Sequence, residues 1–217
     1  MYRKYFKSAD ALNRIALKLE SKDELGNFAL SDIRWAENKF RAHNKDKFLK
    51  GEVYQFEFGK NYSPEMSYEH RGLVIGVSGK LLYVLPIFSY VSTNKAHMKA
   101  YHIADNPDEK QDLFLMKSSE FHFLKHDSVL KLNDIRSISV NRVVYPYSYR
   151  MDINGDTYKK IEDLVIQKYF NQFHFQYRQL MEYSENLQKE LEAVKAEKSE
   201  LEKRMQERVQ HTNSRCR

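Results

Sequence analysis

From Tyr158 to the end of this 217-residue chain there is neither glycine nor proline, so nothing interrupts a helix over the last sixty residues. Within that stretch Leu180, Leu187, Val194 and Leu201 fall seven apart, with Leu191 and Met205 on the interleaved set and Ser184 and Lys198 as polar interruptions. An apolar residue every 3.5 positions makes a seam that remains on one side of a helix, and such a seam seeks another helix. Glu and Lys fill the remaining positions, as on the solvated outside of a coiled coil. The spacing predicts a helical segment over 156–210, paired within or between chains, and an unstructured tail at 211–217.

Ahead of it the period changes. In Gly51–Phe58, Val53, Gln55 and Glu57 alternate with Tyr54, Phe56 and Phe58, and the apolar runs Leu73–Val77 and Leu81–Ile87 flank Ser78-Gly79-Lys80, a tight hairpin signal. Strands this short and closely spaced predict a small β-barrel over residues 48–150. Residues 92–112 are polar and contain Asn106-Pro107-Asp108, which reads as a long loop able to cross a binding face. Near the N-terminus, Ser8 before Leu12, Ile15, Ala16 and Leu19, and Ser31 before Ile33, Ala36 and Phe40, suggest two short capped helices in a 1–47 extension, separated by a turn at Leu25-Gly26-Asn27. The expected fold class is α+β.

Charge and cysteine content narrow the class further. Residues 1–50 hold 12 Lys and Arg against 7 Asp and Glu, whereas residues 51–177 hold 15 against 15. A nucleic-acid groove in the strand region would therefore need local clustering of cations or help from the basic N-terminal segment. The single cysteine, Cys216, forms no disulfide framework and reads as an exposed thiol in a reducing compartment. The charged start lacks a signal-peptide core, and the longest apolar run, Leu81–Phe88, is far short of the roughly 20 residues of a membrane span. A cytoplasmic location is expected, with no membrane partner. Asp152, Asn154 and Asp156 imitate a calcium loop, but Thr157 stands where that loop needs glycine. The segment is assigned to a helix start, and no metal or cofactor is called for.

Two segments carry a family likeness: Gly51–Ser89 (GEVYQFEFGKNYSPEMSYEHRGLVIGVSGKLLYVLPIFS) and Lys125–Arg142 (KHDSVLKLNDIRSISVNR). Together they resemble the MazF/PemK-like toxins, whose pattern runs Gly-Asp/Glu-Val/Ile, a strand, a loop with Glu, Arg-Pro before a Val/Ile-rich strand, and later Gln-Ile-Arg-Thr-Ile. The resemblance implies an SH3-like barrel, metal-independent cleavage of single-stranded RNA to 2′,3′-cyclic phosphate and 5′-hydroxyl ends, homodimers and a cognate antitoxin. Gly72 replaces the family proline, and Phe88 replaces a threonine implicated in catalysis, leaving Ser89 as the nearby hydroxyl. Where some relatives use an Arg and an Asp in the second segment, this chain has Lys131 and Asn133. A non-catalytic module of the same fold with a coiled-coil tail, and a ToxN-like nuclease regulated by an RNA antitoxin, are the alternatives.

Phosphodiester transesterification needs a cation for the phosphorane, a base for the 2′-hydroxyl and an acid for the leaving oxygen. Arg71, always charged and forked to suit a phosphate, is the cation, or else a salt-bridge partner of Glu65 or Glu57. Ser89 either hydrogen-bonds the scissile phosphate in place of the family threonine or is a surface serine at a strand end, Glu65 orients Arg71 or acts as a base, and His70 is an additional base. His122 and His126 read as exposed or supporting residues. Lys60 and Asn61 in the polar loop, Lys95 in the 92–112 segment, and Lys131 are candidate RNA contacts. Arg136 either holds a phosphate or fixes the barrel through Asp134.

Overall fold

The computed structural model describes residues 2–19, 21–41 and 47–215, with the side chains of Leu19 and of residues 206–215 left out; Cys216 lies outside this set. Two compact units are present, residues 1–168 and 169–217.

In the first unit, α1 (Tyr2–Leu19) and α2 (Lys22–Asn38) precede strands β1 (Glu52–Glu57), β2 (Glu69–Ser78), β3 (Leu81–Ser89), β4 (Leu113–Met116), β5 (Ser128–Lys131), β6 (Arg136–Ser139) and β7 (Val143–Arg150). A one-turn helix, α3 (Lys95–Met98), lies in the 92–112 segment, and α4 (Asp156–Tyr169) follows β7. The strands form one antiparallel sheet in the order β4-β5-β3-β2-β1-β7, and β6 continues the β5 side of β3 by pairing with Leu81–Val84.

The sheet does not close. It ends at β4 on one side and β7 on the other, so the expected barrel is an open sheet. Residues alternate between its faces, and each face has its own apolar cluster. Val53, Leu73, Leu85, Ile87 and Leu130 point to one face and pack against Tyr158, Ile161, Leu164 and Val165 of α4. Tyr54, Phe56, Val74, Leu82, Val84 and Ile138 point to the other, under Phe58, Val140 and Val143. Each fully buried side chain of this size contributes roughly 1.5–3 kcal/mol, so α4 supplies a substantial part of the packing on its face. The segment read as one helix from Asp156 is thus two helices, and the first belongs to the strand unit.

Gly79 adopts φ 58° in the tight turn between β2 and β3, as its sequence signal requires. The N-terminal helices depart from expectation. Ser8 and Ser31 are both interior to longer helices, and the cap of α2 is Ser21, whose hydroxyl accepts the Glu24 N–H at 3.3 Å while the Glu24 carboxylate accepts the Ser21 N–H at 3.1 Å. This reciprocal box outweighs the turn signal at Gly26, which sits in mid-helix. Ser31 is buried instead and donates to Glu57 Oε1 at 3.0 Å.

The second unit is dominated by α5 (Asn171–Arg215), which runs through most of the segment expected as a tail. Its heptad leucines are exposed in the single chain, Leu180 at 64% and Leu187 at 46%. Among the described residues no helix is long and apolar enough to cross a membrane.

Candidate functional site

Strand register decides which predicted residues share a surface. In the β1–β2 ladder Gln55 faces Arg71; Arg71 faces Ile87 on β3, Ile87 faces Leu130 on β5, and Ser89 faces Ser128. Gln55, Arg71, Ser89 and Ser128 therefore lie on one face, the same face that α4 covers farther along at Val53, Leu73 and Leu85. Tyr145 of β7, opposite Gln55, belongs there too.

Arg71 Nη2 donates to the buried Ser128 hydroxyl at 3.2 Å, and Ser128 Oγ donates to the His126 carbonyl at 3.2 Å. Ser89 Oγ and His126 Nε2 are 2.8 Å apart, both exposed. Tyr147 donates to Gln55 Oε1 at 3.1 Å and touches the Tyr145 hydroxyl at 3.5 Å. Burial, and then the contact with Tyr145, push the Tyr147 phenol up to about 12, so it stays protonated and serves as a donor. Arg71 has no carboxylate ion pair among the described residues: Glu57 and Glu69, on the same face, are both taken by Arg34 of α2. A half-buried, forked cation held by a neutral hydroxyl beside a Ser–His pair is a ready receptor for a phosphate diester.

The remaining predicted residues fall elsewhere. His70, next to Arg71 in β2 rather than in a loop, pairs with Phe56 and so points to the opposite face. Burial, followed by the nearby Arg71 charge, lowers its pKa. Glu65 does not reach Arg71; it pairs with Arg136 Nη2 at 3.1 Å. Arg136 Nε also donates to Asp134 Oδ1 at 2.7 Å, and Asp134 Oδ2 accepts the Met66 N–H at 2.7 Å. Lys131 adds its ammonium to Asp134 and to the Pro64 carbonyl. Lys131, Asp134 and Arg136 thus clasp the 59–68 loop.

Asn61 is spent inside that loop, donating to the Phe58 and Met66 carbonyls at 3.0 and 2.7 Å. Lys60 is ion-paired with Asp32 at 2.7 Å, and Lys95 is exposed on α3. The 92–112 segment is no open loop: Tyr101 and His102 are buried, and Tyr101 bridges to Phe114 of β4.

Both departures from the family pattern have local reasons. A Cβ on Gly72 would lie 2.4 Å from Val84 Cγ1 and 2.8 Å from the Phe56 ring. Phe88 points away from Arg71 and sets its ring edge-on to His97 at 5.3 Å. Ser89 is the hydroxyl that shares the Arg71 face. His126 is the residue that sequence reasoning undervalued, because an irregular turn rather than strand alternation carries it to Ser89.

Among the described residues no group of three His, Cys, Asp or Glu side chains converges as a metal site. No protein-family model matches the chain, and no curated protein does.

Proposed function

We propose that the chain is an endoribonuclease of the MazF/PemK type, cutting single-stranded RNA by transesterification. The observation that carries this reading is Arg71, free of carboxylates among the described residues and held by Ser128 on the face that also bears the Ser89–His126 pair. The 2′-oxygen attacks phosphorus, the P–O5′ bond breaks, and the products are a 2′,3′-cyclic phosphate and a 5′-hydroxyl. Arg71 binds the non-bridging oxygens as charge builds on them. His126, oriented by Ser89, takes the proton of the 2′-hydroxyl, since imidazole is the usual proton carrier near neutral pH, and the departing 5′-oxygen takes its proton from solvent. Tyr147 donates a hydrogen bond and does not act as a base. Glu65 and His70 have no part in the chemistry.

The SH3-like relationship, the antitoxin partner, whether protein or RNA, and the homodimer belong to the same proposal. The exposed heptads of α5 supply the surface for pairing with a second copy.

The test is incubation of a mixed-sequence RNA with the purified protein in EDTA, followed by mapping of the new ends. Cyclic phosphate and 5′-hydroxyl ends are expected. A magnesium requirement or 5′-phosphate ends would exclude this mechanism.

A further inference from the structure

Resting on the ribonuclease reading, we propose that the cleft between α2 and the adjoining end of the sheet is a nucleotide subsite. It would take one nucleotide of the RNA strand, with the base stacked on Trp35 and a phosphate between Lys39 and Arg142. The cleft encloses about 530 Å³, and Arg34, Trp35, Lys39, Lys60, Asn141 and Arg142 are among its walls. That size falls within the roughly 300–1,000 Å³ of small-ligand sites.

Its charge is unevenly satisfied. Glu57 and Asp32 also line it, but they are engaged by Arg34 and Lys60. Lys39 and Arg142 have no carboxylate partner among the described residues. Arg142 is set in place by one neutral contact, Nη1 donating to the Glu57 carbonyl at 3.0 Å. It lies so close to Gly59, at φ 86°, that a Cβ there would sit 2.8 Å from Nη1.

The aromatic surface is just as open. Trp35 is 61% exposed, and the Lys39 ammonium stands 4.8 Å from its ring centroid. At an exposed site that cation–π contact is weaker than base stacking, so a base can take the indole face while Lys39 moves to the phosphate. The α2 wall is fixed for the purpose: Ser31 and Arg34 bond to Glu57, and Asn141 Nδ2 caps the helix end through the Asn38 carbonyl at 2.9 Å.

The cleft also lies in line with Arg71. Glu57 and Glu69, which tie Arg34 into the cleft, are one same-face step from Gln55 and Arg71, about 7 Å along the strands. A strand of RNA with its scissile phosphate on Arg71 can place a flanking nucleotide in the cleft.

Trp35 is the only tryptophan in the chain and reports directly. The full-length protein is titrated with a labelled single-stranded 2′-deoxyoligonucleotide, which lacks the nucleophile and is not cut. Anisotropy follows binding, Trp35 emission is read in parallel, and cleavage of the matching RNA is measured separately. Saturable quenching that tracks binding is expected, together with weakening by salt. Trp35→Ala should lower affinity about tenfold, and the exposed Lys39→Gln should lower it and flatten the salt dependence.

Binding without quenching, no binding, or quenching by a polyglutamate peptide but not by the oligonucleotide would overturn the subsite. RNA cleavage that is indifferent to Trp35→Ala in KM would remove the subsite and leave the nuclease. Quenching and Trp35-dependent binding without RNA cleavage would do the reverse.

Discussion

Ser89 Oγ meets His126 Nε2 at 2.8 Å although 37 residues separate them, because Ser89 closes β3 and His126 sits two residues before its strand partner Ser128. A hydroxyl–imidazole pair is thereby delivered to the face where Arg71 waits. If this is the reacting group, His126→Ala should lower single-turnover cleavage by about 10²–10⁴-fold. Ser89→Ala, which removes only the orienting hydrogen bond, should cost up to about tenfold. Glu65→Gln and His70→Gln should leave the rate near that of the wild type.

Arg71→Lys tests the phosphate receptor. An ammonium retains the charge but loses the fork, so cleavage should fall by roughly 10²–10³-fold. The fold should be unaffected, because Ser128 Oγ keeps its bond to the His126 carbonyl. Thermal melting alongside the cleavage assay separates the two effects.

Packing variants give a different signature. Gly72→Ala forces a Cβ against Val84 and Phe56 and should destabilise by roughly 1–3 kcal/mol. Phe88→Thr matches the family sequence but points away from Arg71. It should not raise cleavage, and loss of the ring from beside His97 should cost roughly 0.5–3 kcal/mol. Urea denaturation of both variants, with cleavage measured in parallel, provides the check.

Two histidines make stability depend on pH. Burial lowers the pKa of His70, with Arg71 adding to the effect, and burial lowers that of His97, whose Nδ1 accepts the Val91 N–H at 2.9 Å. With folded values depressed, the unfolded chain binds more protons, so stability rises with pH. Their contribution is complete above the ordinary value of 6.5 and is lost as pH falls below it toward the folded values. Urea midpoints measured from pH 7.5 down to about 5 should fall, and His70→Gln should flatten the slope.

Removal of α5 tests assembly. A chain ending at Phe170 keeps the whole strand unit, including α4, and should melt and cleave RNA as the full chain does. Light scattering should show a smaller species than the intact protein at equal concentration. Equal masses across a wide concentration range would rule out intermolecular pairing through the heptads.

Where local rules act alone, the fold was legible. Hairpin chemistry at Ser78-Gly79-Lys80 sets the first β2–β3 pairs, Ser78 with Leu81 through Gly76 with Tyr83, and alternation along β2 puts Arg71 and His70 on opposite faces. The register shift between Val74 and Gly76, which brings Ile87 opposite Arg71 and so puts Ser89 rather than Phe88 on its face, leaves no such trace. Where two local signals compete, the outcome depends on relative strength. The Ser21–Glu24 box and the Ser31–Glu57 contact carry α2 past Gly26, and a reading of Gly26 as a stop misplaces the helix. Residues in irregular stretches were illegible for another reason. The position of Glu65 depends on Asp134 and Arg136, some seventy residues away, and that of His126 on the turns before β5, none of which leaves a periodic trace.

An open antiparallel sheet has two edges, and an edge left unpaired could recruit a strand from a neighbouring molecule. At one end of this sheet β4 is only four residues long, and Tyr101 already takes its outer side, donating to the Leu113 carbonyl and accepting the Leu115 N–H. At the other, β7 carries Pro146, which has no N–H to offer an incoming strand. Edge-to-edge aggregation is discouraged at both ends, so a mutation that lengthens β4 or replaces Pro146 with a β-branched residue should turn this chain toward fibrous self-association while leaving its individual fold intact.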